Sequence, residues 1–240
     1  MWYGSWTARS HGSGERDVTG VYEYALGDEA ADLHPKVRGR YGLGPEDDYA
    51  TVGSGLMDIT RGTLALPVLY LMPFRNLLFP ESGEQIPFTV TTVGWRDSAG
   101  YEALTTRRAF QFDGKRRVFD STTVWDAERE RLFDFLGTGG HVVSELHPRV
   151  EDGALVVEGG KQWTRVGGRY LPTPGPLAVE VTVRDQYDEA QEQFHVTATV
   201  ESQLAGHILG YRGSFTQDQE AMETVPQELR PTTGIDPLPP

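Results

Sequence analysis

Residues 177–200 read LAVEVTVRDQYDEAQEQFHVTATV. Leu177, Val179, Val181 and Val183 alternate with Ala178, Glu180 and Thr182, and Phe194, Val196, Ala198 and Val200 alternate with His195, Thr197 and Thr199. A period of two is the mark of a strand with one face buried. Two such runs across a charged centre predict an antiparallel hairpin. A turn centred on Asp188-Glu189 pairs 183 with 194 and 177 with 200, so all eight apolar residues share one face.

Two further hairpins suggest themselves on either side. Phe112-Asp113-Gly114-Lys115 holds the Asp-Gly pair that type I′ turns favour. Pairing 112 with 115 sets Phe110 opposite Arg117, Arg108 opposite Phe119 and Arg107 opposite Asp120. Leu104, Thr106, Arg108, Phe110, Phe112, Phe119 and Trp125 then share the core face with Arg117. Gly159-Gly160 separates LVVE from KQWTRV, which predicts a second turn with Val156 meeting Trp163. A last strand, His207–Phe215, pairs back to put Tyr211 opposite Val200 and Phe215 opposite Val196, with Gly213 leaving room opposite Ala198.

With Tyr49–Thr60, Ile86–Trp95 and Arg131–Leu136 the count reaches nine or ten strands. A meander of that size must curl or close to hide its edges. The expected fold is therefore mainly β: an antiparallel, lipocalin-like barrel or half-barrel of about 8–10 strands with one or two short helices. Val21–Arg38 has helical spacing at Tyr22, Leu26 and Leu33, and Pro35 ends that helix near His34. Leu64–Phe79 is the most apolar run. Broken by Pro67 and Pro73, it is too short to span a bilayer and is expected to pack on the core or cover an opening in it.

The chain has 240 residues, 38% of them hydrophobic, which suits one core with loose ends. Residues 1–20 and the proline-rich 217–240 read as flexible extensions around a single β-rich domain, 21–216. Lys and Arg total 22 against 35 Asp and Glu, a net charge of −13 that disfavours nucleic acid and anionic lipid as partners. There is no cysteine, hence no disulfide framework and no thiolate metal site. With no secretory signal visible, the expectation is a cytoplasmic protein without stable membrane insertion.

Five stretches carry a resemblance: LGDEAADLHPKVR (Leu26–Arg38), VGSGLMDITRGTLALPVL (Val52–Leu69), PFTVTTVGW (Pro87–Trp95), TRRAF (Thr106–Phe110) leading into FDS (Phe119–Ser121), and GHILGYRGSF (Gly206–Phe215). Over residues 21–216 the chain resembles the bacterial domain of unknown function numbered 4166. Such domains occur alone, behind saccharopine-dehydrogenase-like reductases, and at the end of YndJ-like membrane proteins. Where the family strand usually reads Trp-x-Arg-x-Phe, this chain has Thr106-x-Arg108-x-Phe110. The resemblance implies no activity.

Arg108 and Arg117 on an apolar face each need a carboxylate, a ligand anion or water, because an unpaired cation there costs several kcal/mol. Two readings stand: a structural ion pair, or a cavity whose arginine holds the anionic end of a small amphiphile among Phe110, Phe119, Trp125, Trp163 and Tyr211. Arg107 beside Asp120 reads as an exposed pair. His141, Glu145 and His147 share one strand face and could supply two ligands or an acid–base pair; no further His or acid is tied to them by local spacing, so no metal site is expected. His34, His141 and Glu145 are the acid–base candidates for an isomerase or cyclase. No cofactor signature occurs: Gly137–Gly140 lacks the lysine of a P-loop. A third reading is docking on a reductase or membrane partner. A closed, apolar cavity larger than ~300 Å³ holding an arginine favours binding; one holding a histidine and a carboxylate within hydrogen-bond reach favours catalysis; a filled barrel with an exposed apolar patch favours docking.

Overall fold

The computed structural model describes residues 20–70, 72–232 and 234–240. Among these residues eleven strands run in chain order. They are β1 (Tyr49–Arg61), β2 (Gly83–Arg96), β3 (Glu102–Phe112), β4 (Lys115–Asp126), β5 (Arg131–Leu136), β6 (Val142–Glu151), β7 (Ala154–Val166), β8 (Arg169–Pro172), β9 (Val179–Asp188), β10 (Gln193–Ser202) and β11 (Gly206–Ala221). The order β6-β5-β4-β3-β2-β1-β11-β10-β9-β7, with β6 paired to β7, closes an antiparallel barrel of ten strands; β8 adds to β7 outside the ring. Closure removes the sheet edges, which is what a long meander requires.

The Asp113-Gly114 hairpin has the register expected of it: Phe112 faces Lys115, Phe110 faces Arg117, Arg108 faces Phe119 and Arg107 faces Asp120. The decisive hairpin keeps its faces but not its register. Ala198 lies opposite Val183 and Val200 opposite Val181. Asp188 accepts bonds from the amides of Ala190 and Gln191, so the connection is longer than a turn on 188–189. A displacement by an even number of residues leaves every side chain on its own face. Leu177 falls outside the strand and is exposed. The strand β11 is likewise offset: Tyr211 faces Ala198, Phe215 faces Phe194, and Gly213 faces Val196. The room at Gly213 is taken by Met57, whose Sδ sits 2.7 Å from where a Cβ would be.

No turn forms at Gly159-Gly160. Strand β7 runs straight through it, with a bulge opposite Ser144 and Leu146. The hairpins lie instead at Asp152-Gly153, between β6 and β7, and at Gly167-Gly168, between β7 and β8. A type I′ turn needs φ > 0 at both central residues. Gly167 and Gly168 supply 56° and 76°.

Three short segments close one end of the barrel: α1 (Val21–Leu26), a 3₁₀ turn (Gly27–Asp32) and α2 (Pro35–Tyr41). Pro35 does end the first helical stretch, but it also begins the next one at N1, where its missing N–H costs nothing. At the other end the connection between β1 and β2 carries a one-turn helix, α3 (Leu66–Leu69), and a 3₁₀ turn (Met72–Arg75), so the lid is less helical than its composition suggests.

The expected loose tail is docked. Ile235 and Leu238 are buried beside Trp95, Phe133, Phe135, Val143 and Trp163 on the outer face of the barrel. Leu229 is buried with Ala50 and Val93. Arg107 donates to the Glu228 carbonyl at 2.6 Å and lies 3.7 Å from the buried Asp120 carboxylate, so that pair is an anchor for the tail rather than a free surface pair. Proline blocks regular structure in the tail but does not prevent burial. The expected lead-in, 1–20, lies outside the described residues except for Gly20. No helix among the described residues is long and apolar enough to cross a membrane.

Candidate functional site

The inward faces of the strands do not meet. Between them lies a cavity of about 480 Å³. Its walls are the alternating residues of β9 and β10, Val179, Val181, Val183, Ala198 and Val200, joined by Leu146 and Val157. These three β9 valines are half-buried where a filled core would leave them fully so; the face they share is a cavity wall. The lid contributes Leu64, Ala65, Leu69, Met72, Leu77 and Leu78.

The lid is two-sided. Ala65, Leu69 and Phe79 are buried, while Leu64 is 75% and Phe74 85% exposed. Tyr70, Leu177 and Leu204 are exposed as well, and Leu177 and Leu204 belong to the loops that complete the cavity's rim. Arg117 pins the far end of the lid: its guanidinium grips both oxygens of Glu81, at 2.8 and 2.5 Å, and holds the Glu81 carboxyl below the usual carboxylate range. Arg117 is therefore occupied as a structural clamp.

The polar groups gather on the β3–β4–β5 side of the cavity and against the helical plug. Arg108 lies over the Phe119 ring at 5.1 Å and donates to Ser121 Oγ at 3.3 Å and to the Thr106 carbonyl at 3.5 Å. No carboxylate of the described residues lies within 4.0 Å of it. Asp134 lines the same cavity as Arg108 and Ser121, and its Oδ1 accepts the Thr123 hydroxyl at 3.1 Å. The cation on β3 and the acid on β5 thus line one cavity, with β4 between them. Tyr22, Tyr41 and Tyr211 complete this polar region.

Burial pushes the Asp134 carboxyl up to about 6, although Arg108 and the two hydroxyls favour its charge. The ordinary value for an unfolded chain is about 3.9. The folded state therefore binds the extra proton between those values, so stability from this group is gained as pH falls through 6 and forgone above it. We expect Asp134→Asn to raise the apo protein's stability at pH 7 by on the order of 2 kcal/mol, and to erase the gain that wild type shows on acidification from about pH 7 to pH 5. Urea melts at the two pH values measure it; an unchanged pH response would mean Asp134 is solvated.

Beneath Tyr41 a second charged pair closes the plug. Arg40 Nη1 meets Asp185 Oδ2 at 2.9 Å, Tyr41 donates its hydroxyl to the same oxygen at 2.8 Å, and the guanidinium lies 4.7 Å over the Phe215 ring. Both side chains are fully buried. Neither was singled out in the sequence. Asp185 continues the inward alternation Val179-Val181-Val183, and an acid in that position is the signal that was there to read.

The other expected site residues scatter. Phe119 and Tyr211 line the cavity with Arg108. Phe110 is fully buried behind Tyr211, ring centroids 5.7 Å apart. Trp125 faces inward but at the plugged end, bordering a surface cleft with Tyr24 and Tyr101. Trp163 is on the outer face, edge-on to Phe133 under the tail.

None of the candidate bases reaches the cavity. His34 caps α2, accepting the Lys36 amide on Nδ1, and its Nε2 meets Glu189 at 2.8 Å with the ring stacked on Tyr187. His141 and Glu145 do share a face, but it is the outer one: His141 approaches the Arg165 carbonyl at 3.5 Å and Glu145 lies 3.7 Å from Arg131. No histidine lines the cavity among the described residues. Among them there is also no cluster of three metal-ligating side chains.

The model of a domain of unknown function, DUF4166, matches residues 33–215. An uncharacterized protein, YndH of Bacillus subtilis (strain 168), is 30% identical over 189 residues, covering 78% of this chain and 92% of its own length. No solved structure matches. With the family pattern running from the cap of α2 to the end of the barrel wall at Phe215, the chain belongs to the DUF4166 family.

Proposed function

We propose that this barrel binds a small amphiphile, with its polar end at Arg108 and its apolar body against the β9 and β10 valines beneath the lid. What supports the reading is one conjunction: an apolar cavity of about 480 Å³ whose guanidinium has no carboxylate within 4.0 Å among the described residues. Ligand cavities of this size are mostly apolar with a few placed polar groups. A guanidinium stays charged at any working pH, so it needs an anion or a dipole there. The exposed Leu64, Tyr70, Phe74, Leu177 and Leu204 give an apolar body a path past the lid. The isomerase or cyclase reading loses its histidines, and Asp134 is the acid that would have to replace them.

The test fills the cavity from its wall. Val181→Trp adds an indole on the inward face without touching Arg108. We expect wild type to bind an apolar fluorophore such as N-phenyl-1-naphthylamine, and Val181→Trp to lose at least tenfold in affinity while its melting behaviour stays close to wild type. Equal binding by both proteins would sink the proposal. Native mass spectrometry of the chain purified from its own host is the complementary search for a retained ligand.

A further inference from the structure

We propose, on the reading that Arg108 receives an amphiphile's polar end, that the ligand is a monocarboxylic acid and that it binds together with one proton, shared between its carboxyl group and Asp134. A guanidinium carries five N–H donors in a planar fork. Arg108 spends one nitrogen on Ser121 Oγ and the Thr106 carbonyl, at 3.3 and 3.5 Å, both long contacts. The rest of the fork is available to a planar acceptor in the cavity it lines. A carboxylate that takes it shares the cavity with Asp134, because Arg108 on β3 and Asp134 on β5 line the same cavity across β4.

Two carboxylates cannot both stay ionised on one cation in an apolar cavity; one of them takes a proton. Every charged or titratable neighbour bears on that count. From β3 comes Arg108, from α1 Tyr22, from α2 Arg40 and Tyr41, from β9 Asp185 and from β11 Tyr211. Arg40 is already neutralised by Asp185 at 2.9 Å, and burial holds Tyr22 and Tyr41 in their neutral forms. That leaves Arg108 as the free positive charge. Arg108, Asp134, a monocarboxylate and one proton sum to zero. A phosphate dianion in the same place leaves an uncompensated negative charge and wants donors beyond a single arginine. The proton comes from solvent, no covalent bond other than O–H is made, and the product is an acid–carboxylate hydrogen bond flanked by the guanidinium. Asp134 is poised for this, since its carboxyl already titrates near 6 before any ligand arrives.

Decanoate is the probe, titrated calorimetrically into the full chain in phosphate and in Tris, buffers whose different ionisation heats report the number of protons taken up. We expect about one proton per decanoate above pH 7, and an affinity that falls about tenfold per pH unit from about pH 7 to pH 8.5, by linkage. Asp134→Asn should bind decanoate with no uptake and no pH dependence over that range. Wild-type binding without uptake, or uptake that survives Asp134→Asn, overturns the shared proton. The buffer comparison on wild type needs no variant to fold. Decanol and decyl phosphate identify which statement fails. If either binds tenfold better than decanoate, the carboxylic acid class is wrong while the amphiphile reading stands. If none of the three binds, the amphiphile reading falls with it.

Discussion

Replacing Arg40 with methionine is expected to destabilise the fold by about 3–5 kcal/mol, the usual cost of stranding one member of a buried ion pair. Asp185 is fully buried on the inward face of β9, and its carboxylate oxygen receives both the Arg40 guanidinium and the Tyr41 hydroxyl. With Arg40 gone, one neutral hydrogen bond is left to hold a charge that burial already disfavours. The carboxyl then titrates higher still in the folded state. Its folded value lies above its unfolded one, so the folded state gains by binding the proton, and the loss in Arg40→Met should shrink as pH is lowered. The double variant Arg40→Met with Asp185→Asn removes both charges and keeps an acceptor for Tyr41. We expect it to recover most of the loss, because a buried pair contributes little net against a neutral replacement. Urea denaturation of the two single variants and the double, at pH 7 and pH 5, closes the cycle. A cost below about 1 kcal/mol for Arg40→Met would mean that the plug is held by Tyr22, Leu26 and Val37 alone.

The barrel was legible because alternation fixes faces, and faces survive errors of register. Two of the predicted strand pairings were displaced, yet Val179, Val181 and Val183 still share a face with Val196, Ala198 and Val200. The Asp113-Gly114 turn came out in register because an Asp-Gly pair specifies both turn type and length. Gly159-Gly160 did not, because a glycine pair permits a turn without requiring one, and here the second glycine sits where a Cβ would strike the His147 ring.

The site itself was half legible. Arg108 could be placed inside from one hairpin, since everything needed lies within twelve residues of it. Asp134 and the plug could not, because their meeting depends on β5 pairing with β4 and on helices closing the barrel from outside the sheet. The histidines misled for a chemical reason. His34 caps the start of α2, its Nδ1 accepting the Lys36 amide, a structural role that carries no reaction. Proline richness argues against regular structure in the tail but not against burial, and Ile235 and Leu238 are buried.

Arg108→Met should separate binding from folding more sharply than any other single change. The side chain has no carboxylate within 4.0 Å among the described residues, so its removal strands no directly paired anion. Asp134 loses a favourable charge, but its carboxyl can answer by holding its proton at higher pH. We therefore expect the apo melting curve to move by no more than about 1 kcal/mol at pH 7. Decanoate affinity should fall by about 100-fold, the equivalent of one charge-assisted, two-pronged contact worth roughly 2–3 kcal/mol. Arg108→Lys refines the claim. Lysine keeps the charge but loses the planar fork, and its ammonium is more strongly hydrated, so burying it in the cavity costs more. If the fork is what receives the carboxyl group, Lys should recover less than tenfold of the lost affinity. Recovery to wild-type level would show that a point charge suffices and that the ligand's head is not held in a plane. A Met variant that binds decanoate as wild type does would remove the polar end from this cavity altogether, leaving Arg108 as a stacked companion of Phe119 and no more.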